Sequence, residues 1–381
     1  MAETTGMKTL KVGIVGARGL STMTGFKALP GVEVTALCDL NEELLKQKAA
    51  QHGIPHTYRI FDDMVESDLD AIIIGTPMQC HVPQAIRALE AGKHVMSEVT
   101  AGVTMDELWW LIECVEKYGK VYMMAENYCY MPAVQQVRNM AAQGLFGEPY
   151  YAEGEYLHDI KGLAVYGNGI TSWRTYWQLG KRGNFYPTHS VGPVMKFFPG
   201  DHIRSISCFS SGRHTAPHLR NDDTTVTMCQ LDSGKLVRIR LDCVSNRPHN
   251  MAYYSLQGTK GCYEAPRGLG DKPKVYLSDS KTDGKAQWQP LEDYAEYLPE
   301  RYKNATEEQR KTGHAGGDFF IVQDFMDAIV KGTPPGIDVY EACEWTAVGL
   351  LSELSVTNGS RTIDMPKFRK NMKVEEQFTK I

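Results

Sequence analysis

Leu10-Lys11-Val12-Gly13-Ile14-Val15-Gly16-Ala17-Arg18-Gly19-Leu20-Ser21 reads as an apolar strand running straight into a glycine turn. Glycines at such a turn let the backbone approach a pyrophosphate seated at the start of the next helix. The fingerprint departs from the usual one, with Arg18 at the second glycine position and Ser21 at the third. Asp39 stands 23 residues after Gly16, at the end of a second apolar run over Val32–Cys38. A ribose-binding carboxylate is expected at that place. It accepts from the adenosine ribose hydroxyls and repels a 2′-phosphate, which favours NAD over NADP. The competing reading of Asp39 is a cap for the helix that opens at Asn41.

Outward from this unit, strand and helix signals alternate. Asn41 is a good N-cap for a helix to about His52, with Gly53 at its end. Ala71–Gly75 is continuously apolar, as a strand buried on both faces requires. His81–Ala91 is helical with Pro83 in its first turn, and His94–Met96 is another strand. Thr104 and Glu107 form a capping box for a helix to about Tyr118, before a strand at Val121–Ala125. This spacing predicts a doubly wound parallel sheet over residues 1–128. Thr76, Pro77, His81, Glu98, Glu126 and Asn127 fall at carboxyl ends of its strands, where ligands bind in such sheets.

From Pro149 the pattern changes to longer strands: Tyr150–Leu157, Ile203–Phe209, Thr224–Leu231, Lys235–Cys243 and Tyr253–Gly258. Asp232-Ser233-Gly234 is a hairpin turn between two of them. Residues 129–381 thus predict an antiparallel sheet domain with few helices, α+β beside the α/β first domain. Residues 266–312 are polar and predict a long surface excursion. Helices at Gly317–Lys331 and Val339–Thr357 close the pattern.

A net charge of -5 carries no nucleic-acid footprint. The nine cysteines form no Cys-x-x-Cys pair, which disfavours both a disulfide framework and a structural zinc site. His214, His218, Asp222 and Asp223 match no compact ligand spacing, so no metal is expected. No run approaches the ~18 apolar residues of a membrane span, and the N-terminus has no signal-peptide core. The expectation is a cytoplasmic enzyme.

Gly183-Asn184-Phe185-Tyr186-Pro187-Thr188-His189 places a phenol and an imidazole three residues apart across a proline. Pro187 fixes its own φ and restricts Tyr186. Together such groups can move protons at a hydroxyl, or at a carbon beside a carbonyl. The plainer reading is a Tyr and a His packed in a turn. Trp173 and Trp177 are either a sugar-stacking wall or packing residues. His314 reads as an exposed loop histidine.

With these motifs the chain resembles the Gfo/Idh/MocA superfamily of NAD(P)-dependent, mostly sugar-acting oxidoreductases. The resemblance rests on Val12-Gly13-Ile14-Val15-Gly16, Asp39, Gly75-Thr76-Pro77 with His81, Ala91-Gly92-Lys93-His94-Val95, Trp173-Arg174 and the His189 segment. It implies a Rossmann domain followed by an open antiparallel sheet domain. Ordinary dehydrogenases of this superfamily carry Glu-Lys-Pro where this chain has Glu98-Val99-Thr100. They carry Asp where it has Phe185. The replaced pattern resembles the NAD-dependent α-N-acetylgalactosaminidase-like glycoside hydrolases, with Glu-Val and Tyr-Pro-Thr-His.

That resemblance implies cofactor roles for Gly16, Arg18, Gly19, Asp39, Thr76, Pro77, His81, Glu98, Val99 and Asn127. It implies chemistry at Tyr156, Tyr186, His189 and Glu126, and substrate contacts at Trp173, Arg174, Thr188 and His249. His249 stands where the subgroup presents a tyrosine. The implied reaction is redox-neutral: oxidation at C3 of a small sugar glycoside, loss of the C2 proton, elimination of the aglycone, hydration and re-reduction. The alternatives are a net sugar or inositol dehydrogenase and a non-catalytic NAD-binding regulator. An open sheet with an exposed apolar face needs a cover, so a homo-oligomer, dimer or tetramer, is expected.

Overall fold

Six short apolar runs become six parallel strands in the computed structural model, which describes residues 9–279 and 286–372. They are β1 (Leu10–Val15), β2 (Val32–Cys38), β3 (His56–Tyr58), β4 (Ala71–Ile74), β5 (His94–Ser97) and β6 (Tyr122–Met124), in the order β3-β2-β1-β4-β5-β6. All five pairings are parallel. Val12, Ile14, Ile72 and Ile74 are fully buried, which is why these runs lack polar alternation. Intervening helices start and stop where their caps dictate. Asn41 accepts from Leu44 N–H at 3.1 Å, and Gly53 closes that helix in the left-handed region. The Thr104–Glu107 capping box is present in full.

The chain divides into two compact units. The first runs to Tyr130 and also takes in Thr306–Cys343 and a segment from Phe368. The helix Gly317–Lys331 therefore belongs with the parallel sheet.

The second unit comprises Met131–Ala305 and Glu344–Lys367. Its sheet contains β7 (Pro149–Leu157), β8 (Ile203–Ser210), β9 (Thr224–Leu231), β10 (Leu236–Asp242), β11 (Asn250–Gly258), β12 (Gly261–Glu264), β13 (Lys274–Leu277), β14 (Gln289–Pro290) and β15 (Ile363–Asp364). The order is β14-β13-β12-β11-β7-β10-β9-β8-β15. The expected antiparallel pairing holds except between β7 and β10, which run parallel. The polar stretch 266–312 is not all excursion, because it adds β13 and β14 to one edge. Val275, Leu291 and Tyr302 are buried there and anchor it.

Helix Thr188–Met195 lies on one face of this sheet. A Cβ on Gly154 of β7 would fall on the Ser190 carbonyl oxygen, so glycine is what lets helix and strand touch. On the opposite face, Glu153 and Glu155 of β7 stand in register with Arg238 and Arg240 of β10. Arg238 and Arg267 each donate to Glu155 at 3.1 Å. The middle of this face is thus an ionic ladder rather than the apolar surface expected.

Candidate active site

In the first unit, β1 turns at Gly16 with φ 82°. A Cβ there would lie 2.6 Å from the Gly75 carbonyl oxygen, so only glycine fits between β1 and β4. Gly16 N–H donates to Cys38 O at 2.8 Å. The turn runs into a 3₁₀ stretch, Ala17–Thr22, rather than directly into an α-helix. Thr22 Oγ1 closes that stretch back on Gly19 O at 2.9 Å. Arg18 holds the second turn position, and its side chain lies outside the described residues. Asp39 accepts from Ala17 N–H at 3.0 Å and from Asn41 N–H at 2.8 Å. Its carboxylate spans the glycine turn and the helix start. Bare backbone at Gly16 and Gly19 with an acid at the end of β2 fits a dinucleotide.

The remaining strand ends of this unit are tied together. Thr76 donates to Gln84 at 2.6 Å, and Pro77 precedes the short turn Met78–Cys80. His81 is buried, with its ring nitrogens 2.9 Å from Thr76 O and 2.7 Å from Thr100 O. Burial holds its pKa below the ordinary histidine value. Its ring clamps the loops after β4 and β5. Glu98 accepts from Ser21 Oγ at 3.0 Å, and Val99 is buried beside it. Glu126 is buried and accepts from Tyr128 N–H at 3.3 Å.

Asn127 meets a residue that the sequence left in an exposed loop. Its Nδ2 lies 3.1 Å from His314 Nδ1, which is 2.8 Å from Asp318 Oδ1. His314, Ala315 and Gly316 are successively left-handed, with φ of 55°, 58° and 93°, and this turns the imidazole inward. The hydrogen bond to Asp318 raises the His314 pKa against the opposing effect of burial, and the charges of Asp318, Glu98 and Glu126 add to the rise. The available signal was an acid four residues after a histidine, among glycines at a helix start.

In the second unit the geometry gathers five rings. Tyr156, the last but one residue of β7, has its hydroxyl 2.7 Å from His158 Nδ1. The Tyr156 ring centroid lies 5.5 Å from Tyr186 and 5.1 Å from His189. Tyr186 and His189 meet edge to face at 4.9 Å, and His158 and His249 at 4.7 Å. Three of the four expected catalytic side chains therefore converge here. Glu126 belongs to the other unit.

Local anchors explain the placement. Asp222 accepts from the Arg182 guanidinium at 2.9 Å and from Gly183 N–H at 3.1 Å. Asn184 N–H donates to Ser352 Oγ at 2.7 Å. Phe185 is buried and packs as core. Pro187 caps the Thr188–Met195 helix, and Tyr254 OH donates to His189 O at 2.7 Å. Thr188 is wholly buried. Asp223 holds the turn at His214 and Thr215. The Arg174 guanidinium stacks 4.5 Å from the Trp173 ring and donates to Gln178 at 2.7 Å, and Lys181 sits over Trp177.

His158 escaped the sequence reading, although its place two residues after Tyr156 was legible. Burial, then the positive fields of His249, Arg174 and His189, push its pKa below the ordinary value, against Asp159. A neutral His158 can accept the Tyr156 proton. Activity is therefore expected to fall with an acid limb below pH ~6.5, the unperturbed histidine value. Folding stability should fall in the same window, because the unfolded chain binds the proton more readily. A pH–rate profile checks this, and an acid limb unchanged in His158→Gln would contradict it.

A parallel sheet with a glycine turn and Asp39, together with a sheet domain presenting paired phenols and imidazoles, defines a Gfo/Idh/MocA-type enzyme that binds NAD and acts on sugars. Residues 10–126 match the oxidoreductase family NAD-binding Rossmann fold, and residues 130–375 match the glycosyl hydrolase 109 C-terminal domain. The chain belongs to glycosyl hydrolase family 109. A family 109 protein of Saccharopolyspora erythraea is 31% identical, covering 95% of this chain and 83% of the relative. The alpha-N-acetylgalactosaminidase of Shewanella oneidensis is also 31% identical, covering 95% and 85%. Levoglucosan dehydrogenase in complex with NADH shares the fold, with a TM-score of 0.75 at 20% identity over 94% of this chain and 99% of that one.

Proposed function

We propose that this enzyme hydrolyses a small glycoside by a redox-neutral cycle on NAD. The observation that supports it is the doubling of phenol–imidazole pairs, Tyr156 with His158 and Tyr186 with His189. A dehydrogenase needs one proton station, at the hydroxyl it oxidises. Elimination needs a second, at the neighbouring carbon.

Bound NAD would supply removal of a hydride from C3 and its later return. Gly16, Gly19 and Asp39 would hold its adenosine half, with Arg18, Thr76, Pro77, His81, Glu98, Val99 and Asn127 along the strand ends. Tyr186 and His189 take the C3 hydroxyl proton as the ketone forms. The ketone acidifies C2–H, and Tyr156 removes that proton as its own passes to His158. The C1–O bond breaks, and the leaving oxygen takes a proton from Glu126. Water then adds across C1 and C2: Glu126 takes one of its protons as the oxygen bonds to C1, Tyr156 gives a proton to C2 and recovers its own from His158, and Tyr186 and His189 return the C3 proton as the ketone is reduced. The sum is glycoside plus water giving sugar plus alcohol. Trp173, Arg174, Thr188 and His249 are assigned to sugar and aglycone binding.

Turnover in deuterated water tests this step. The product sugar should carry deuterium at C2, and product without it would exclude proton loss from that carbon. The natural setting on this reading is cytoplasmic. All nine cysteines are free thiols, which suits a reducing compartment. Among the described residues no helix is long and apolar enough to cross a membrane. The homo-oligomer expected from an apolar sheet face loses that basis, because the middle of the face is ionic.

A further inference from the structure

We propose that His314 and Asp318 are positioning residues for the Asn127 amide, and that the charge of this same cluster sets how the enzyme discriminates NAD+ from NADH. This rests on the reading of Asn127 as a cofactor-binding residue. Asp318 Oδ1 lies 2.8 Å from His314 Nδ1 and 3.5 Å from Asn127 Nδ2. Asp318 is 1% exposed and Asn127 7%. A buried carboxylate is acceptor-only, so it draws the proton of His314 to Nδ1 and the NH₂ of Asn127 toward itself. The orientation of the amide follows. Its Oδ1 is buried and has no hydrogen-bond partner among the described residues. That leaves an acceptor suited to a donor the protein does not provide, such as a carboxamide N–H or a ribose hydroxyl.

Glycines keep the arrangement tight. A Cβ on Gly313 would collide with the Asp318 carboxylate, and one on Gly317 would come 3.3 Å from Asn127 O. The Tyr128 ring packs 5.6 Å from His314. The groups whose charge reaches His314 are Asp318 on its own helix, Glu98 after β5 and Glu126 after β6. When His314 loses its proton, the strand-end cluster gains one unit of negative charge. The nicotinamide ring of NAD+ carries a positive charge and that of NADH does not. Preference for NAD+ over NADH should therefore rise with pH through the His314 titration.

Dissociation constants for NAD+ and NADH, measured by calorimetry on the full chain from pH 5.5 to 9, test this. In the wild type the ratio of the NADH to the NAD+ constant should rise about fivefold across the range. His314→Gln, which keeps a donor for Asp318 but cannot titrate, should flatten the ratio. Asp318→Asn, which frees the amide, should weaken both cofactors about tenfold. Where Asp318→Asn fails to fold, the half-exposed His314→Gln carries the test alone. A ratio still rising with pH in His314→Gln would overturn the proposal. Asn127→Ala separates the two levels. If it binds both cofactors like the wild type, the cofactor reading of Asn127 falls and this proposal with it. If it weakens binding while the His314 and Asp318 variants match the wild type, only the positioning role falls.

Discussion

Tyr156→Phe should lower glycoside turnover by about 10²–10⁴-fold, the range for losing a general acid–base group. The ring stays and the hydroxyl goes, so the aromatic contacts at 5.5 Å to Tyr186 and 5.1 Å to His189 are retained. NAD binding, measured by fluorescence quenching, should be unaffected, because the substitution leaves Gly16, Gly19 and Asp39 in place. The Tyr156 hydroxyl and His158 Nδ1 are 2.7 Å apart, and the proposed cycle uses them as one relay. Tyr156→Phe combined with His158→Gln should therefore fall little further than the first substitution alone. Fully multiplicative losses would mean that the two side chains act independently. Turnover within threefold of the wild type in Tyr156→Phe would remove Tyr156 from the chemistry.

Gly154→Ala should damage both the stability and the activity carried by the second unit. The new Cβ would meet backbone, the Ser190 carbonyl, and not the yielding end of a side chain. Overpacking of this kind costs about 1–3 kcal/mol, read as a lowered melting temperature. The greater loss is in activity. Ser190 follows His189 on the same helix, so pushing that helix off β7 moves the imidazole away from Tyr156. Displacement by about 1 Å can cost ~10²-fold. Gly162→Ala is the control, since nothing lies within 4 Å of its added Cβ. Equal melting temperatures and rates for the two variants would show that helix and strand are not in contact at Gly154.

The parallel sheet was legible because local signals agree there. Asn41 with Gly53, and Thr104 with Glu107, mark helix ends by hydrogen bonds that involve only neighbouring residues. Gly16 and Asp39 are separated in sequence by a fixed architecture, so their spacing carried the cofactor site. In the second unit the strands and the Asp232–Gly234 turn were also local. The Thr188–Met195 helix was not, because Gly192 and Pro193 oppose a helix and packing on Gly154 overrides them. The parallel pairing of β7 with β10 is a matter of topology, to which periodicity is blind. Residues β13 and β14 hid in a polar stretch with few apolar anchors.

At the site, Tyr186 and His189 were read from motif chemistry and Tyr156 from the family resemblance alone, and the fold brings the three rings together. His158 was missed although alternation along β7 places it two residues beyond Tyr156. His314 could not be read in the same way. Its inward turn depends on three consecutive left-handed residues, two of them not glycine, and on an aspartate that receives it. Such conformations are set by the surrounding structure and not by local preference.

The cofactor balance tests the central claim most directly. Purified enzyme with bound NAD is given excess glycoside, and aglycone release is followed together with NADH absorbance. The redox-neutral account predicts many turnovers of released sugar and alcohol while NADH never exceeds the enzyme concentration. One NADH per product, with an oxidised sugar accumulating, would contradict it and establish a dehydrogenase instead.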